Sequence, residues 1–241
     1  MFALLALLFL VGLVIGFALA PTNEKEVVRY VPSNTAVAGT SISMLVPAVD
    51  QEGNGVVGTL ITTIKPGSGL VLVNVNDVIA QFNTQLSGRI AAKAASAFTK
   101  TDLSKLDIIY TIKVNATAIE GPSAGVAMAI SIIAALENKT LSSDVSITGT
   151  IKENGEIGEA GAILEKARAA KAHGIKTFLV PSNQSLESTV RAERSCSFVD
   201  SIERCSIRYV QKGRTVGEIA GLETVEVSNI EEAIKYFVKT E

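Results

Sequence analysis

The chain of 241 residues is 47% hydrophobic and 19% charged with 6 Pro, which excludes a disordered or low-complexity protein because ample apolar surface offsets the entropy lost on folding. Its formal net charge is −2, whereas nucleic-acid-binding proteins usually carry an excess of basic residues, so no nucleic-acid partner is expected. Two cysteines and one histidine are too few for a structural zinc site, and the sequence predicts neither a metal nor a cofactor.

Residues 2–20 form an apolar segment without a charged or strongly polar side chain. As a helix, this segment would be about 28 Å long, close to the hydrocarbon thickness of a bilayer. We therefore expect residues 1–20 to be a transmembrane anchor, with a signal peptide as the alternative. Ala18-Leu19-Ala20 has the form of a cleavage site. The anchor is favoured because the segment has no basic beginning and Pro21 would follow the cut.

Residues 21–34 are interpreted as a tether and residues 35–241 as one domain. We expect a single-pass membrane protein, or a secreted one if a signal peptide is cleaved, with the domain on the extracytoplasmic side. In an oxidising compartment Cys196 and Cys205 could pair. Three glycosylation sequons are compatible with that location but decide little, and they begin at Asn115, Asn138 and Asn183.

The domain alternates predicted strands and helices, which indicates a mixed α/β (α+β) fold. Segments rich in Val, Ile and Thr predict strands over residues 35–49, 55–65, 70–75, 107–114, 145–151, 177–180, 207–210 and 224–227. Apolar residues at helical spacing predict helices over residues 76–100, 122–138, 159–173 and 229–238. Ser228 and Glu231 are predicted to cap the last helix. Residues 191–214, in which Lys and Arg are frequent, are interpreted as a solvated face or loop.

The tripeptide Gly121-Pro122-Ser123 opens the second predicted helix. Pro is favoured at the first position of a helix, and a glycine before it lets the chain turn sharply. Ser123 is then expected in the first helical turn, where backbone N–H groups without an intrahelical partner can bind a developing oxyanion. The same residues also fit a purely structural helix start, with Ser123 as a small capping residue.

A serine nucleophile requires a base, and the sequence offers two candidates. His173, the only histidine, falls in the last turn of a predicted helix, where a capping role is expected because cations are favoured there. Lys166 lies on that helix and shares a face with Ile163 and Ala170. An amine in such an apolar site is desolvated and can be neutral, as a base must be. Taken alone, Lys166 also fits an ordinary exposed helix lysine.

Three motifs of the domain occur in a meaningful order. Residues 121–125 read Gly-Pro-Ser-Ala-Gly, residues 147–149 read Ile-Thr-Gly, and Lys166 lies on the next predicted helix, 43 residues after Ser123. Order and spacing resemble the proteolytic domain of Lon-type proteases, which use a Ser-Lys dyad. The resemblance implies Ser123 as nucleophile and Lys166 as base, with a Thr148 hydroxyl that holds the lysine amine. It also implies orienting or oxyanion-binding roles for Gly121 and Pro122.

The resemblance implies a Lon proteolytic-domain fold and a serine endopeptidase. The run Gly53 to Gly58 lacks the lysine of a phosphate loop, so no ATPase module is expected. We therefore expect a free-standing, membrane-tethered Lon-like protease of the archaeal type that cleaves flexible or unfolded polypeptides without ATP. A homo-oligomeric ring is an expectation from the family, and an ATPase partner acting in trans is the alternative to independent action.

Two other function classes fit parts of the sequence. The first is a membrane-tethered scaffold that keeps the fold without activity. The second is a GHMP-like small-molecule kinase, because a glycine- and serine-rich loop before a buried helix can also bind phosphate. The kinase is disfavoured because the chain shows a single short motif and no evident pair of Mg²⁺-binding carboxylates.

Overall fold

The computed structural model describes residues 39–74, 79–80, 82–115, 118–119, 121–199 and 202–238. The predicted anchor at residues 1–20 and the predicted tether at residues 21–34 lie outside these ranges. Within the described part of the chain, none of the helices has both the length and the apolar character needed to cross a membrane.

A four-stranded sheet forms one layer of the fold. Its strands are β1 (Thr40–Val49), β2 (Gly55–Pro66), β3 (Val71–Asn74) and β5 (Leu106–Lys113), in the order β1-β2-β5-β3. The neighbours β1, β2 and β5 run antiparallel, and β3 lies parallel to β5. Alternate side chains of β2 are buried, as expected for a strand with one face on the core, and these are Leu60, Thr62 and Ile64.

A second, parallel sheet contains β7 (Val145–Ile147), β10 (Thr177–Pro181) and β13 (Glu223–Val227), with β10 in the centre. The remaining strands form pairs. The parallel pair is β4 (Ile79–Ala80) with β6 (Ala118–Ile119). The antiparallel pairs are β8 (Thr150–Ile151) with β9 (Ile157–Gly158), and β11 (Leu186–Val199) with β12 (Ile202–Thr215). The alternation of strands and helices confirms the predicted mixed α/β class.

Five helices complete the described structure: α1 (Phe82–Thr99), α2 (Gly125–Leu136), α3 (Ile163–Ala172), α4 (Val216–Ala220) and α5 (Ile230–Phe237). Every residue of α2 from Gly125 to Ala135 is buried. This burial explains a sequence that is apolar on all sides. Small residues let α1 pack closely against α2, and the buried ones include Gly88, Ala91 and Ala95.

Three helices begin later than their sequence patterns predict. The helix predicted from residue 76 begins at Phe82, after the strand Ile79–Ala80. The helix predicted from Pro122 begins at Gly125, because residues 121–124 form a turn in which Pro122 accepts the Gly125 N–H. Ser123 therefore lies in the turn before α2, and its predicted position in the first helical turn is wrong. The third helix begins at Ile163 rather than residue 159, because Ala162 has a left-handed backbone (φ 54°).

The carboxyl-terminal half differs from the sequence prediction in three further places. The strand predicted over residues 145–151 is two strands, since pairing with β10 ends at Ile147 and the chain then turns into β8. Residues 191–199 and 202–214 belong to the hairpin β11–β12, which contains a Cys196–Cys205 disulfide. Most of the side chains described there are exposed, so the predicted solvated face is confirmed and the loop is wrong. The predicted cap of the last helix is one residue off, because Asn229 accepts the Glu232 N–H.

Candidate active site

Ser123, Thr148 and Lys166 come together from three separate elements. Lys166 donates through Nζ to Ser123 Oγ at 2.8 Å and to Thr148 Oγ1 at 3.2 Å. Ser123 is supplied by the turn before α2, Thr148 by the end of β7, and Lys166 by the first half of α3. A hydroxyl and an amine at this distance can exchange a proton directly.

The environment of Lys166 is apolar. Its side chain is buried, with 3% of the residue exposed, and its helix neighbours Ala167 and Ala170 are also buried. Burial lowers the pKa of the Lys166 amine from 10.5 to about 8, because an ammonium loses hydration when it leaves water. Within the described residues, no charged group contributes to this lower pKa. The amine can therefore be neutral at mildly alkaline pH.

Thr148 connects both partners of this contact. Its residue is fully buried, and its hydroxyl donates to the Ser123 carbonyl at 3.4 Å while accepting from Lys166 Nζ. The Gly149 N–H donates to the same Ser123 carbonyl at 2.8 Å. With its own proton directed at that carbonyl, the Thr148 hydroxyl presents a lone pair to the lysine amine. The end of β7 thus holds both the serine backbone and the lysine side chain.

Two hydroxyls of α1 hold the turn from the other side. Thr84 donates to the Gly121 carbonyl at 3.4 Å. The single Ser87 hydroxyl proton lies between two acceptors, the Asn83 carbonyl at 2.9 Å and the Pro122 carbonyl at 3.3 Å. Thr84 and Ser87 are nearly buried, at 2% and 5% exposure. No sequence motif marks these two residues, and their one signal is a hydroxyl at two positions of the stripe of small side chains that α1 buries.

The backbone of the turn suits an oxyanion site. Gly121 has a left-handed backbone with φ 97°, a conformation that glycine adopts without steric cost. Within the described residues, the N–H groups of Ser123 and Ala124 donate to no hydrogen bond. Unpaired amides beside a nucleophile can bind the charge that develops on a carbonyl oxygen. Gly121 and Pro122, whose orienting roles stay a prediction, form the part of this turn that precedes Ser123.

Comparison with known proteins adds an independent observation. The family description "Lon protease (S16) C-terminal proteolytic domain" matches residues 48–205, more than half of the chain. The chain belongs to this family. The resemblance inferred from the motifs is confirmed, and membership in the Lon family supports serine peptidase chemistry in general.

Three curated relatives illustrate the similarity, and all are named Lon protease. The protein from Rhizobium meliloti (strain 1021) is 32% identical over 137 residues, which cover 56% of this chain and 17% of the relative. The Azospirillum brasilense protein is 28% identical over 172 residues, or 70% of this chain and 21% of the relative. The Buchnera aphidicola subsp. Acyrthosiphon pisum (strain APS) protein is 43% identical over 77 residues, or 32% and 10%. The chain therefore matches about a fifth of these relatives' length or less.

A narrow groove adjoins Ser123 in this Lon-family domain. It is lined mainly by apolar side chains of the four-stranded sheet and the segments that flank it, and these include Val46, Leu60, Ile112 and Val114. Thr84, Gly121 and Ala124 complete the lining beside the serine. The alternation of apolar and polar residues along β1, β2 and β5 predicts which of their side chains are buried. It does not show that side chains so far apart in sequence line one groove.

His173 occupies the position expected for a cap. It is the C-cap residue of α3, and its ring Nδ1 lies 2.9 Å from the Ala169 carbonyl oxygen. The imidazole therefore contacts the end of its own helix. Lys166, and not His173, is the titratable residue that contacts Ser123 in the described structure.

Proposed function

We propose that the chain is an ATP-independent serine endopeptidase in which Ser123 is the nucleophile and Lys166 the general base. The observation that carries the proposal is the 2.8 Å contact between the Ser123 hydroxyl and the buried Lys166 amine. An amine whose pKa is lowered to about 8 by burial can accept a proton near neutral pH. The assignment of Ser123 and Lys166 as a Ser-Lys dyad rests on this contact and on the resemblance of their motifs to those of Lon-type proteases.

The proposed reaction proceeds through an acyl-enzyme. Neutral Lys166 takes the Ser123 proton as Oγ bonds to the scissile carbonyl carbon, and the turn amides bind the oxyanion. The lysine ammonium then protonates the leaving amine as the C–N bond breaks. Water repeats the sequence on the ester, which releases the carboxylate product and restores both side chains. A Ser-Lys pair is a known variant of the serine-protease triad.

Flexible or unfolded polypeptide segments are the proposed substrates, and the family match to a proteolytic domain supports this choice. The support for ATP independence is that Ser123 and Lys166 already lie in contact, so no conformational work is needed to unite them. Membrane attachment through residues 2–20, with the domain outside the cytoplasm, is part of the proposal and rests on the length of that apolar segment. Assembly into a homo-oligomer and independence of nucleic acid also remain proposals.

The alternative functions make different predictions. An inactive scaffold has no use for a lysine held beside a serine in an apolar site, where it destabilises the fold unless neutral. The contact between the two side chains therefore favours an enzyme. Family membership favours peptide hydrolysis over phosphoryl transfer, because the match is to a proteolytic domain.

The decisive experiment incubates the full chain with an unstructured protein and no nucleotide. We expect fragments from the wild-type chain and none from Ser123→Ala. Ser143→Ala is the matched control, since Ser143 is exposed and precedes β7 at the end opposite Thr148. Labelling by a serine-reactive probe should require both Ser123 and Lys166. Cleavage that survives Ser123→Ala, or a wild-type chain inactive both with and without ATP, would contradict the proposal.

A further inference from the structure

Gln184 makes two hydrogen bonds to a single residue near the candidate base. Its side-chain oxygen accepts the Ala160 N–H at 2.9 Å, and its Nε2 donates to the Ala160 carbonyl at 3.0 Å. Gln184 lies in the loop that follows β10, and Ala160 lies between β9 and α3. The Gln184 side chain therefore pairs with both the N–H and the carbonyl group of Ala160.

The bound segment leads directly into the helix of Lys166. Ala160 is 7% exposed, and two residues later Ala162 is the N-cap of α3 with a left-handed backbone and no side-chain capping bond. The Ala162 carbonyl accepts the Lys166 N–H at 3.1 Å. Because no side chain caps α3, its beginning depends on contacts of the preceding segment, and the two hydrogen bonds from Gln184 to Ala160 are such a contact.

We propose that Gln184 is a positioning residue that fixes the beginning of α3 and thereby holds the Lys166 amine against Ser123. The inference rests on the proposed function, in which Lys166 is the base. Only an amide side chain can both donate and accept in this way, since a carboxylate cannot donate and an ammonium cannot accept. A shift of about 1 Å between reacting groups can cost on the order of a hundredfold in rate.

The neighbouring residue supplies a matched control. The Ser185 N–H donates to Glu226 Oε1 at 3.0 Å, and the Ser185 side chain and the Asn183 backbone also hydrogen-bond this carboxylate. Glu226 thus anchors to β13 the residues on either side of Gln184. Glu226→Gln weakens this neighbouring contact in the same loop. A change seen in Gln184 variants and absent from Glu226→Gln is then specific to the contact with Ala160.

The first measurement is steady-state cleavage by the full chain. We expect Gln184→Met, which keeps the size of the side chain without its hydrogen bonds, to lower kcat at least about tenfold while KM changes less than about twofold. Gln184→Glu should behave similarly, because its carboxylate faces the Ala160 carbonyl without a proton to donate. Glu226→Gln should keep kcat within about twofold of wild type.

The second measurement needs no substrate. Titration of the ¹³C-labelled Lys166 side chain by NMR reports its protonation directly, and Lys166 Nζ faces the hydroxyls of Ser123 and Thr148 in the described structure. In Gln184→Met the pKa of Lys166 should rise from about 8 toward 10.5, because a displaced helix start admits water.

An unchanged kcat together with an unchanged Lys166 titration in Gln184→Met overturns the positioning role. Equal effects of Gln184→Met and Glu226→Gln also overturn it, since they would reflect general loosening of the loop. A wild-type chain without Ser123-dependent cleavage overturns the proposed function instead, and the Lys166 titration then still decides whether Gln184 positions the amine.

Discussion

Lys166 combines a titratable amine with an almost fully buried position, at 3% exposure. Burial lowers its pKa to about 8, so the protonated form predominates below that pH and the neutral form above it. Because only the neutral amine accepts the Ser123 proton, kcat/KM should rise with pH through about 8 and then level off. At pH 6 it should be about a hundredfold below the plateau, since each unit below the pKa removes about nine tenths of the remaining neutral amine.

A pH profile of peptide cleavage between pH 6 and 10 checks this expectation. Lys166→Arg is the matched variant, because it keeps the positive charge while a guanidinium does not lose its proton in this range. We expect Lys166→Arg to be inactive at every pH. A flat wild-type profile, or an active arginine variant, would show that Lys166 is not the base.

The residues of the site differ in how far the sequence reveals them. Ser123, Thr148 and Lys166 stand in short motifs with a family spacing, so they could be named without a structure. Thr84, Ser87 and Gln184 could not, because each acts through a hydrogen bond to a backbone group distant in sequence. Such a bond leaves no periodic or motif signal. Side chains that support a site are therefore the part that sequence reasoning misses.

Among the elements, helix starts and the long hairpin were the least predictable. Apolar residues at helical spacing continue through residues 122–124 and 159–162. The turn at Pro122 nevertheless makes α2 begin at Gly125, and the left-handed backbone of Ala162 makes α3 begin at Ile163. The frequent Lys and Arg of residues 191–214 predict a solvated face or loop, and the hairpin β11–β12 is an exposed face built of paired strands. Its strands are held by pairing with each other, and composition alone does not show which segments pair. Strand β2, with one buried face, agrees with its predicted range within one residue.

The contact between β2 and α3 leads to a prediction for Gly55. A Cβ at this position would overlap the Glu165 carbonyl oxygen and lie 3.0 Å from the Ala169 Cβ. Gly55→Ala must therefore push β2 and α3 apart, which typically costs about 1–3 kcal/mol of unfolding free energy. Because Lys166 follows Glu165, we also expect kcat to fall.

Thermal or denaturant unfolding and steady-state cleavage of Gly55→Ala measure both effects. Gly213→Ala is the control, because a Cβ there has no neighbour within 4 Å and the residue lies in the exposed hairpin. If the two alanine variants are equally stable and equally active, the close approach of β2 to α3 does not position the base.

At the scale of the whole molecule, the candidate site lies where two apolar cores meet. Buried residues of α1, α2 and the four-stranded sheet form the larger core. The smaller core lies under α3 and includes Ala167, Ala170 and Phe178. Strand β10 contributes to both, since Leu179 belongs to the larger core and Phe178 and Val180 to the smaller one, as the alternation of side chains along a strand requires. The serine turn precedes a helix of the first core, and the lysine belongs to a helix of the second.

The side chains of the hairpin β11–β12 whose burial the structure describes belong to neither core. The hairpin packs chiefly on itself and against α4, and exposed side chains such as Ile207 and Tyr209 cover its surface. Elements with few buried contacts open locally at a lower free energy than the body of a protein. The disulfide Cys196–Cys205 should therefore stabilise the hairpin alone. Cys196 lies ten residues after Leu186, where β11 begins, which places the disulfide about 30 Å along the strand.

We predict that reduction of this disulfide speeds amide exchange at least about tenfold within residues 186–215, because a disulfide typically contributes about 2–4 kcal/mol to the segment it closes. Exchange in α2 and the rate of Ser123-dependent cleavage should stay within about twofold. Hydrogen-exchange mass spectrometry with and without dithiothreitol measures this, with a Cys196→Ser, Cys205→Ser double variant as the control for the reductant. In contrast, Ile130→Ala in the larger core should speed exchange throughout the domain, since a buried isoleucine is worth about 2–5 kcal/mol. Faster exchange in α2 after reduction would mean that the hairpin unfolds together with the body.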